Sequence, residues 1–414
     1  MESDKYFLRF LSWIAGVVSA GVFLSLALVV AIDPYRIYGL LDVPGFNHVK
    51  PRPERFQEQI KLTGARMLDA NALIMGNSRA EIGFNPEYPF FSEHGLAAYN
   101  LAVPGTKIQT PGRQLDYLYG VGHKPAVIIL GLDFLDFLVD PASSTIASAP
   151  EKTRNQVDEL RWQFDAAFSL SSVSDAITTL GIQRRADAKT ISDKGFNPLL
   201  EYTKYARDEG YYSLFQQRAA EYAKSFSRMP RSLVKADSGS SQELNVLRKI
   251  LAKASDHQTE LHLIIYPYHA QMLALFEQAG LWSAFDQWKI MLVQEVAAAK
   301  RLRSNARITV WDFSGYSTVQ CESIPGKTNK EQTTKWYWEA GHFKQELGNL
   351  MLARIFDDAP AQPTGFGIVV PLTSSTLQGN RKRIEHERAS CMNAHPELFN
   401  DAAMLLNDVR KRQS

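Results

Sequence analysis

The chain of 414 residues is poor in cysteine and in net charge, with two cysteines and 46 basic against 44 acidic residues. Two cysteines as far apart as Cys321 and Cys391 are too few for a zinc site, and the nine histidines show no paired ligand spacing. We therefore expect neither a metal nor another cofactor. The sequence has no basic tract or aromatic-basic motif, so nucleic acid is not an expected partner.

Cys321 and Cys391 leave two alternatives open. In an exported protein they could form one disulfide that ties the tail of the chain to the last part of its core. Two free, buried thiols are the other interpretation.

Charge is absent from the 23 residues between Arg9 and Asp33, Phe10 to Ile32. As a helix this run spans roughly 34 Å, enough to cross a bilayer core of about 30 Å. Lys5 and Arg9 precede it, so the positive-inside rule predicts a cytoplasmic N-terminus and an extracytoplasmic remainder. A cleaved signal peptide is the alternative, with Val29-Val30-Ala31 as a weak cleavage site. The length of the run favours an uncleaved anchor that contacts the lipid bilayer through residues 10–32.

The sequence divides into four predicted parts. Residues 1–33 form a cytoplasmic tip and transmembrane anchor, and 34–69 a loose stalk followed by a leading helix. Residues 70–356 form an α/β domain, and 357–414 a C-terminal tail with a short apolar piece at 365–370 and a charged helix near 381–388.

Five short apolar runs alternate with helical spacing in the 70–356 region. They end near Met75, Ala102, Leu132, Tyr266 and Phe313. This alternation predicts a parallel sheet of about five strands with right-handed crossovers. We expect a flavodoxin-like three-layer α/β/α fold. The pattern is interrupted at about 141–239 by a mostly helical insertion, which is either a lid over the strand ends or a packing subdomain.

The run Asn71 to Met75 breaks into Gly76-Asn77-Ser78-Arg79 at its carboxyl end. Ligands of open α/β sheets bind at this end of the strands, and a following helix start favours developing negative charge. Ser78 therefore fits a nucleophile, or alternatively a plain helix cap. Near the last core helix, Glu339 stands three residues before His342. A carboxylate there could orient an imidazole toward a serine hydroxyl. Alternatively, Glu339 could favour the helix start through the helix dipole, and His342 could be a surface histidine that caps the last helix.

Taken in order, four blocks resemble those of the SGNH (GDSL-type) hydrolase superfamily. They are Gly76-Asn77-Ser78-Arg79, Asn100 to Thr106, Gly131-Leu132-Asp133-Phe134 and Glu339-Ala340-Gly341-His342. The resemblance implies a catalytic triad of Ser78, His342 and Glu339. It also implies an oxyanion hole formed by the backbone N–H groups of Ser78 and Gly105, although Gly105 also fits a plain turn.

Asp133 departs from this pattern, because the superfamily has an asparagine there that donates to the oxyanion. A carboxylate could donate only if burial keeps it protonated. The chain is therefore either an enzyme or a non-catalytic, glycan-binding assembly component.

Four further residues are candidate substrate contacts. Arg79 could hold an anionic group or form a structural salt bridge, and Asn100 and His269 lie at predicted strand ends. His269 could also serve packing, and Trp338 could stack on a sugar ring or belong to the core.

The anchored architecture is similar to that of proteins that modify envelope glycans, such as alginate O-acetyltransferases. It implies a serine esterase or O-acyltransferase of a bacterial-type inner membrane, acting outside the cytoplasm on acyl groups of an envelope glycan. A membrane-embedded acyl donor is a further implied partner.

Overall fold

A computed structural model describes residues 2–142, 156–356 and 369–413 of the chain. The described helices are α1 (Glu2–Ile32), α2 (Gln57–Met67), α3 (Ser78–Gly83), α4 (Pro89–Glu93), α5 (Gln109–Gly120), α6 (Gln156–Ala167), α7 (Leu170–Ile182), α8 (Leu200–Glu209), α9 (Tyr211–Phe226), α10 (Gln242–Asp256), α11 (Ala270–Gln278), α12 (Trp282–Leu302), α13 (Gln345–Phe356), α14 (Leu377–Ala394) and α15 (Pro396–Gln413).

The described strands are β1 (Lys50–Pro51), β2 (Ala72–Met75), β3 (Ala98–Asn100), β4 (Val127–Leu132), β5 (Thr190–Ile191), β6 (Glu260–Ile265), β7 (Ile308–Asp312), β8 (Tyr337–Glu339) and β9 (His342–Phe343). The chain divides into two compact units. The first comprises 1–64, 153–193 and 197–201, and the second comprises 65–152, 194–196 and 202–414.

The second unit contains a five-stranded parallel sheet in the order β3-β2-β4-β6-β7. Strands β2 and β4 are almost wholly buried, as expected for parallel strands covered by helices. Helix α10 packs against β6, and α12 packs against β7. The predicted α/β class with a parallel sheet of five strands is confirmed. Because the strands are parallel, their carboxyl ends meet at one edge, where β2 and β4 are neighbours.

The C-terminal part of the chain is a packed part of the second unit. Cys321 and Cys391 form a disulfide, with their Cα atoms 5.8 Å apart. Helix α15 packs against α11 and α9. Leu398, Ala402 and Leu406 of α15 are buried. The predicted charged helix near 381–388 lies within α14, whereas most of the predicted apolar piece at 365–370 falls outside the described residues.

The first unit combines the N-terminal segment with part of the predicted insertion. Its helix α1 is long and apolar enough to cross a membrane over Lys5–Ile32. Tyr35 and Ile60 are buried in a cluster with Trp162 and Ala166, and β1 pairs antiparallel with β5. The predicted leading helix is present as α2. The segment before it differs from the predicted loose stalk, because Tyr35 is buried beside Trp162 and β1 pairs with β5.

The predicted insertion at 141–239 is mostly helical where the structure describes it, and it contains α6, α7, α8 and α9. Its residues 143–155 lie outside the described residues. The insertion is divided between the units, because α6 and α7 belong to the first and α9 to the second.

Candidate active site

Ser78 stands at the carboxyl end of β2 and is the first residue of α3. The side chain of Asn77 caps this helix by accepting a hydrogen bond from the backbone N–H of Arg79 at 3.1 Å. With Asn77 in the capping position, Ser78 is not the cap, and its partly buried side chain is available for another partner.

Gly76 allows the chain to turn sharply before Ser78. Its φ of +141° lies in a region that residues with a side chain rarely adopt. A Cβ atom at Gly76 would come within 2.6 Å of the hydroxyl of Tyr266. Glycine is therefore required here both by the backbone conformation and by the phenol packed against it.

His342 and Glu339 face each other across a short antiparallel hairpin. Strands β8 and β9 pair with Glu339 opposite His342, and Ala340 and Gly341 form the turn between them. Gly341 has no room for a side chain, because a Cβ atom there would lie 2.1 Å from the hydroxyl of Tyr222 on α9. The hairpin thus fixes the acid and the imidazole relative to one another.

The hairpin brings His342 to Ser78, although 264 residues separate them in sequence. Nε2 of His342 lies 2.8 Å from Oγ of Ser78, and Nδ1 is hydrogen-bonded to Oε1 of Glu339. An ionised carboxylate only accepts hydrogen bonds, so Nδ1 carries the proton and Nε2 can accept one from the serine hydroxyl. The predicted residues Ser78, His342 and Glu339 form one connected chain.

The carboxyl group of Glu339 is held ionised. Its residue is only 1% exposed, and burial by itself would raise the pKa. The adjacent His342, the backbone N–H of Gly341 and the positive charge of Arg79 outweigh that effect and lower the pKa of Glu339 below its usual range. Oε2 accepts the Gly341 N–H at 2.8 Å, which leaves Oε1 for the imidazole.

Asp133 forms a buried ion pair with Arg79, and both residues are 6% exposed. Oδ2 of Asp133 accepts from Nη1 of Arg79 and, at 3.0 Å, from Nδ2 of Asn77. Oδ1 accepts from the hydroxyl of Tyr268 at 2.8 Å. This arrangement differs from the predicted role as a protonated oxyanion donor, because the carboxylate faces a guanidinium and accepts from three side chains.

Arg79 connects the Ser78 turn to the His342 hairpin. Besides the ion pair with Asp133, its Nε donates to the carbonyl oxygen of Gly341 at 2.6 Å. Burial opposes the charge on Arg79, but Asp133 and the surrounding tyrosines raise the pKa above its ordinary value. Of the two predicted alternatives, Arg79 therefore forms the structural salt bridge, and its guanidinium is not exposed for binding substrate.

Asn100 and His269 are buried residues that hold the loops around the site. Nδ2 of Asn100 donates to the carbonyl oxygens of Ala80 and Phe84, both at 2.9 Å. His269 caps α11, and its Nε2 lies 2.8 Å from the carbonyl oxygen of Glu322. Burial lowers the pKa of His269 to about 4. Neither side chain is presented to a substrate.

Gly105 and Trp338 are more accessible. Gly105 is exposed in the loop after β3, with a φ of +71° and open space where a side chain would stand. Trp338 is partly exposed beside Glu339, and its ring packs edge-on against Tyr202 with centroids 5.6 Å apart. Nζ of Lys344 lies 4.7 Å from the centroid of the Trp338 ring. The Trp338 ring is therefore held in place by Tyr202 and Lys344.

No family model and no curated protein matches this chain.

Asp136 is a residue near the site that the sequence patterns do not indicate. It lines a small space of about 10 Å³ against Gly76, Asn77 and Lys107, room for roughly one water molecule. Burial, together with the charge of Asp133, raises the pKa of Asp136 to about 8. Asp136 lies in a 3₁₀ turn and belongs to no sequence motif, so only the tertiary structure shows that it is close to the site.

Among the described residues, no group of three or more His, Cys, Asp or Glu side chains could hold a metal ion.

Proposed function

We propose that this protein is a membrane-anchored serine esterase or O-acyltransferase with Ser78 as nucleophile, His342 as general base and Glu339 as the orienting acid. The 2.8 Å contact between Ser78 Oγ and His342 Nε2, with Glu339 on the opposite nitrogen, carries the proposal. A hydroxyl, an imidazole and a buried carboxylate in this order are the parts that acyl transfer needs.

In the proposed reaction, Oγ of Ser78 attacks the carbonyl carbon of an ester while Nε2 of His342 takes the hydroxyl proton. The ester C–O bond breaks, and the imidazolium returns the proton to the leaving oxygen. The acyl group then rests on Ser78. Water or a sugar hydroxyl attacks it in the second half, with His342 again accepting and then returning a proton. Water gives an esterase, and the sugar hydroxyl gives an acyltransferase.

The oxyanion would be stabilised by backbone donors. As the first residue of α3, Ser78 has an N–H without an acceptor inside the helix. The exposed Gly105 in the loop after β3 is the second proposed donor. The charge of Asp133 is balanced by Arg79, so the repulsion of an oxyanion by Asp133 is smaller than that of an unpaired carboxylate.

The topology agrees with the proposed membership of the SGNH superfamily and with a flavodoxin-like, three-layer fold. Numbered among themselves, the five parallel strands follow the order 2-1-3-4-5, which is the order of flavodoxin-like sheets. Ligands of such sheets bind where the strand order reverses, between the first and third strands. Ser78 follows the first of them, β2, and Asp133 follows the third, β4.

The proposed location is outside the cytoplasm, on the far side of a bacterial-type inner membrane. Helix α1 is long and apolar enough to cross the bilayer, and Lys5 and Arg9 favour a cytoplasmic N-terminus. The Cys321–Cys391 disulfide supports this location, because disulfides persist in oxidising compartments. An acyl ester of an envelope glycan is the proposed substrate class, and a membrane-embedded acyl donor the proposed partner.

The test is labelling of the full-length protein, in its membrane, with a serine-reactive fluorophosphonate. We expect labelling of the wild-type chain and none of Ser78→Ala, together with a strong loss for His342→Ala. Ser92→Ala removes an exposed serine on α4 and is the matched control, which should label like the wild type.

Labelling that persists in Ser78→Ala would overturn the proposed nucleophile. Absence of labelling in the wild-type chain at every pH would favour a glycan-binding assembly component over an enzyme. A second assay then offers an acetylated glycan together with an added sugar. Release of the free acid would indicate an esterase, and acylation of the added sugar would indicate an acyltransferase.

A further inference from the structure

The last turns of α1 pack against α7 within the first unit. Val29 and Ile32 of α1 are buried against Ala176 of α7, with Leu28 and Val173 packed beside them. The side chains of α1 from Lys5 to Leu24 are exposed. Helix α7 therefore touches the apolar helix only at its C-terminal end.

The position of this contact can be compared with the thickness of a bilayer. Counted from Phe10, the first residue after Arg9, about 20 helical residues cover the roughly 30 Å of a hydrocarbon core. That length ends at Val29, which is one of the residues buried against α7. If α1 crosses the bilayer, α7 lies at the level where hydrocarbon meets the head groups.

Helix α7 has two different sides. Leu170, Ile177 and Leu180, spaced seven and three residues apart, share one side and are 89%, 59% and 38% exposed. Another side of α7 faces a cavity of about 400 Å³ and contributes Asp175, Thr178 and Ile182 to its lining. The rest of the lining consists largely of charged residues. The single charged residue of the helix, Asp175, lies on the cavity side. An exposed apolar stripe opposite a polar side is one feature of helices that lie in a membrane interface, although α7 itself has no Lys or Arg.

Two neighbouring segments of the same unit also expose apolar side chains. Phe164 of α6 stacks on Phe168, and both rings are exposed. The loop 39–46 after α1 exposes four more apolar side chains and is tied to α1 through Asn47, whose Nδ2 donates to the carbonyl oxygen of Ile32. These four are Leu40, Leu41, Val43 and Phe46. We call the exposed apolar residues of α6, α7, Phe168 and this loop the apolar collar.

We propose that the apolar collar rests in the interfacial region of the same bilayer that α1 crosses. The bilayer is the favoured occupant because α1 already brings the collar to that level and because a lipid interface accepts an apolar stripe without a complementary partner shape. This inference depends on α1 spanning the membrane and is independent of the chemistry of Ser78.

The test uses the full-length protein in nanodiscs of phosphatidylethanolamine and phosphatidylglycerol. Single spin labels are placed with Leu170→Cys, Ile177→Cys and Leu180→Cys, since the native cysteines are joined in a disulfide. Collision rates with oxygen, which partitions into lipid, and with a water-soluble nickel complex are then compared. We expect a several-fold higher oxygen-to-nickel ratio at these positions than at Thr178→Cys, the control on the cavity side of the same helix.

Val17→Cys, in the middle of α1, reports separately on whether that helix is in the bilayer. The proposal would be overturned if the oxygen-to-nickel ratio were high at position 17 but equally low at all four α7 positions. The transmembrane anchor would still stand. If the labels at positions 170 and 177 were shielded from the nickel complex in native membranes but not in nanodiscs, the collar would contact a protein partner. That result would also overturn the proposal.

A second measurement needs no substitution. An apolar, lipid-dissolved photolabel is activated in membranes containing the unmodified chain, followed by trypsin digestion. The peptide 162–184, bounded by Arg161 and Arg184, contains the collar residues of α6 and α7. We expect it to carry label several-fold above the peptides of the second unit, and labelling at their level would contradict the proposal.

Discussion

The imidazole of His342 is held from one side by a carboxylate that is almost completely buried. Glu339 is fixed through its other oxygen by the Gly341 N–H, so it cannot rotate away without losing a hydrogen bond. A fixed, ionised acid keeps the proton on Nδ1 and stabilises the imidazolium that forms when His342 takes the serine proton. The orientation of His342 thus depends on the hairpin turn as much as on the acid.

We predict that Glu339→Gln slows fluorophosphonate labelling by about 10²–10⁴-fold, because a neutral amide does not stabilise the imidazolium. The rate constant of labelling at neutral pH measures the effect. His262→Gln is the control, since His262 is buried on β6 away from the triad contacts. A Glu339→Gln rate within a few fold of the wild type would show that Glu339 is not the orienting acid.

The lowered pKa of Glu339 also predicts a pH dependence of stability. A carboxyl group whose pKa is lower in the folded than in the unfolded chain stabilises the fold above its unfolded pKa, here about 4.5. That contribution is lost as the pH falls through the lower folded pKa. In urea unfolding curves, the difference between wild type and Glu339→Gln should therefore be constant near neutral pH and shrink below pH 4.5. A difference that grows toward acid pH would contradict the assigned shift.

The ion pair of Arg79 and Asp133 gives a third prediction. Asp133→Asn restores the asparagine of the SGNH pattern but leaves a buried guanidinium without its counter-charge. Breaking a buried ion pair costs about 3–5 kcal/mol. We expect a loss of that size in the free energy of unfolding and no gain in labelling rate. The double variant Arg79→Met, Asp133→Leu should lose less free energy of unfolding than the summed losses of Arg79→Met alone and Asp133→Leu alone. A stable and faster Asp133→Asn would show that a donor at position 133 reaches the oxyanion, and would contradict the purely structural role of this position.

The candidates Ser78, Glu339 and His342 could be selected from the sequence because Ser78 follows an apolar run and the other two flank a tight turn. The role of Asp133 could not, because its ion pair with Arg79 joins side chains 54 residues apart and leaves no periodic signal. The same applies to Tyr222, which packs against Gly341 from a helix of the insertion.

At the scale of elements, the five strands were predictable because buried parallel strands are continuous apolar runs. Other elements could not be predicted from the sequence. Strands β1 and β5 have two residues each and exist only through their mutual pairing, and α15 was not predicted at all. The stability of such elements comes from contacts with distant parts of the chain, and a local pattern does not contain this information.

The disulfide is a covalent link between distant segments of the chain, and its removal gives a fourth prediction. It links the segment after β7 to α14 across 70 residues, and a disulfide typically stabilises a fold by about 2–4 kcal/mol. The double variant Cys321→Ser, Cys391→Ser should lose this amount in chemical denaturation. Reductant should destabilise the wild type to the same extent and leave the double variant unchanged. Equal stability of oxidised and reduced wild type would contradict the prediction.

At the scale of the molecule, the chain alternates between its two compact units. Residues 34–64 and 153–193 form one unit although about ninety residues of the other unit lie between them. The sequence indicated a stalk and a separate insertion, because the first segment lacks periodicity and the second interrupts the alternation of strands and helices. Their shared cluster around Tyr35 and Trp162 forms only when the two segments meet.

The proposed membrane orientation gives the last prediction. Tyr6→Cys lies between Lys5 and Arg9, on the side expected to face the cytoplasm, and Ser238→Cys lies in an exposed loop of the second unit. In intact spheroplasts, a membrane-impermeant maleimide should label Ser238→Cys at once and Tyr6→Cys only after permeabilisation. The wild type serves as the control, because both of its cysteines are bonded. The reverse pattern would place the disulfide and the triad in the reducing cytoplasm, where an envelope glycan is out of reach, and would remove the proposed substrate while leaving the serine chemistry to be tested separately.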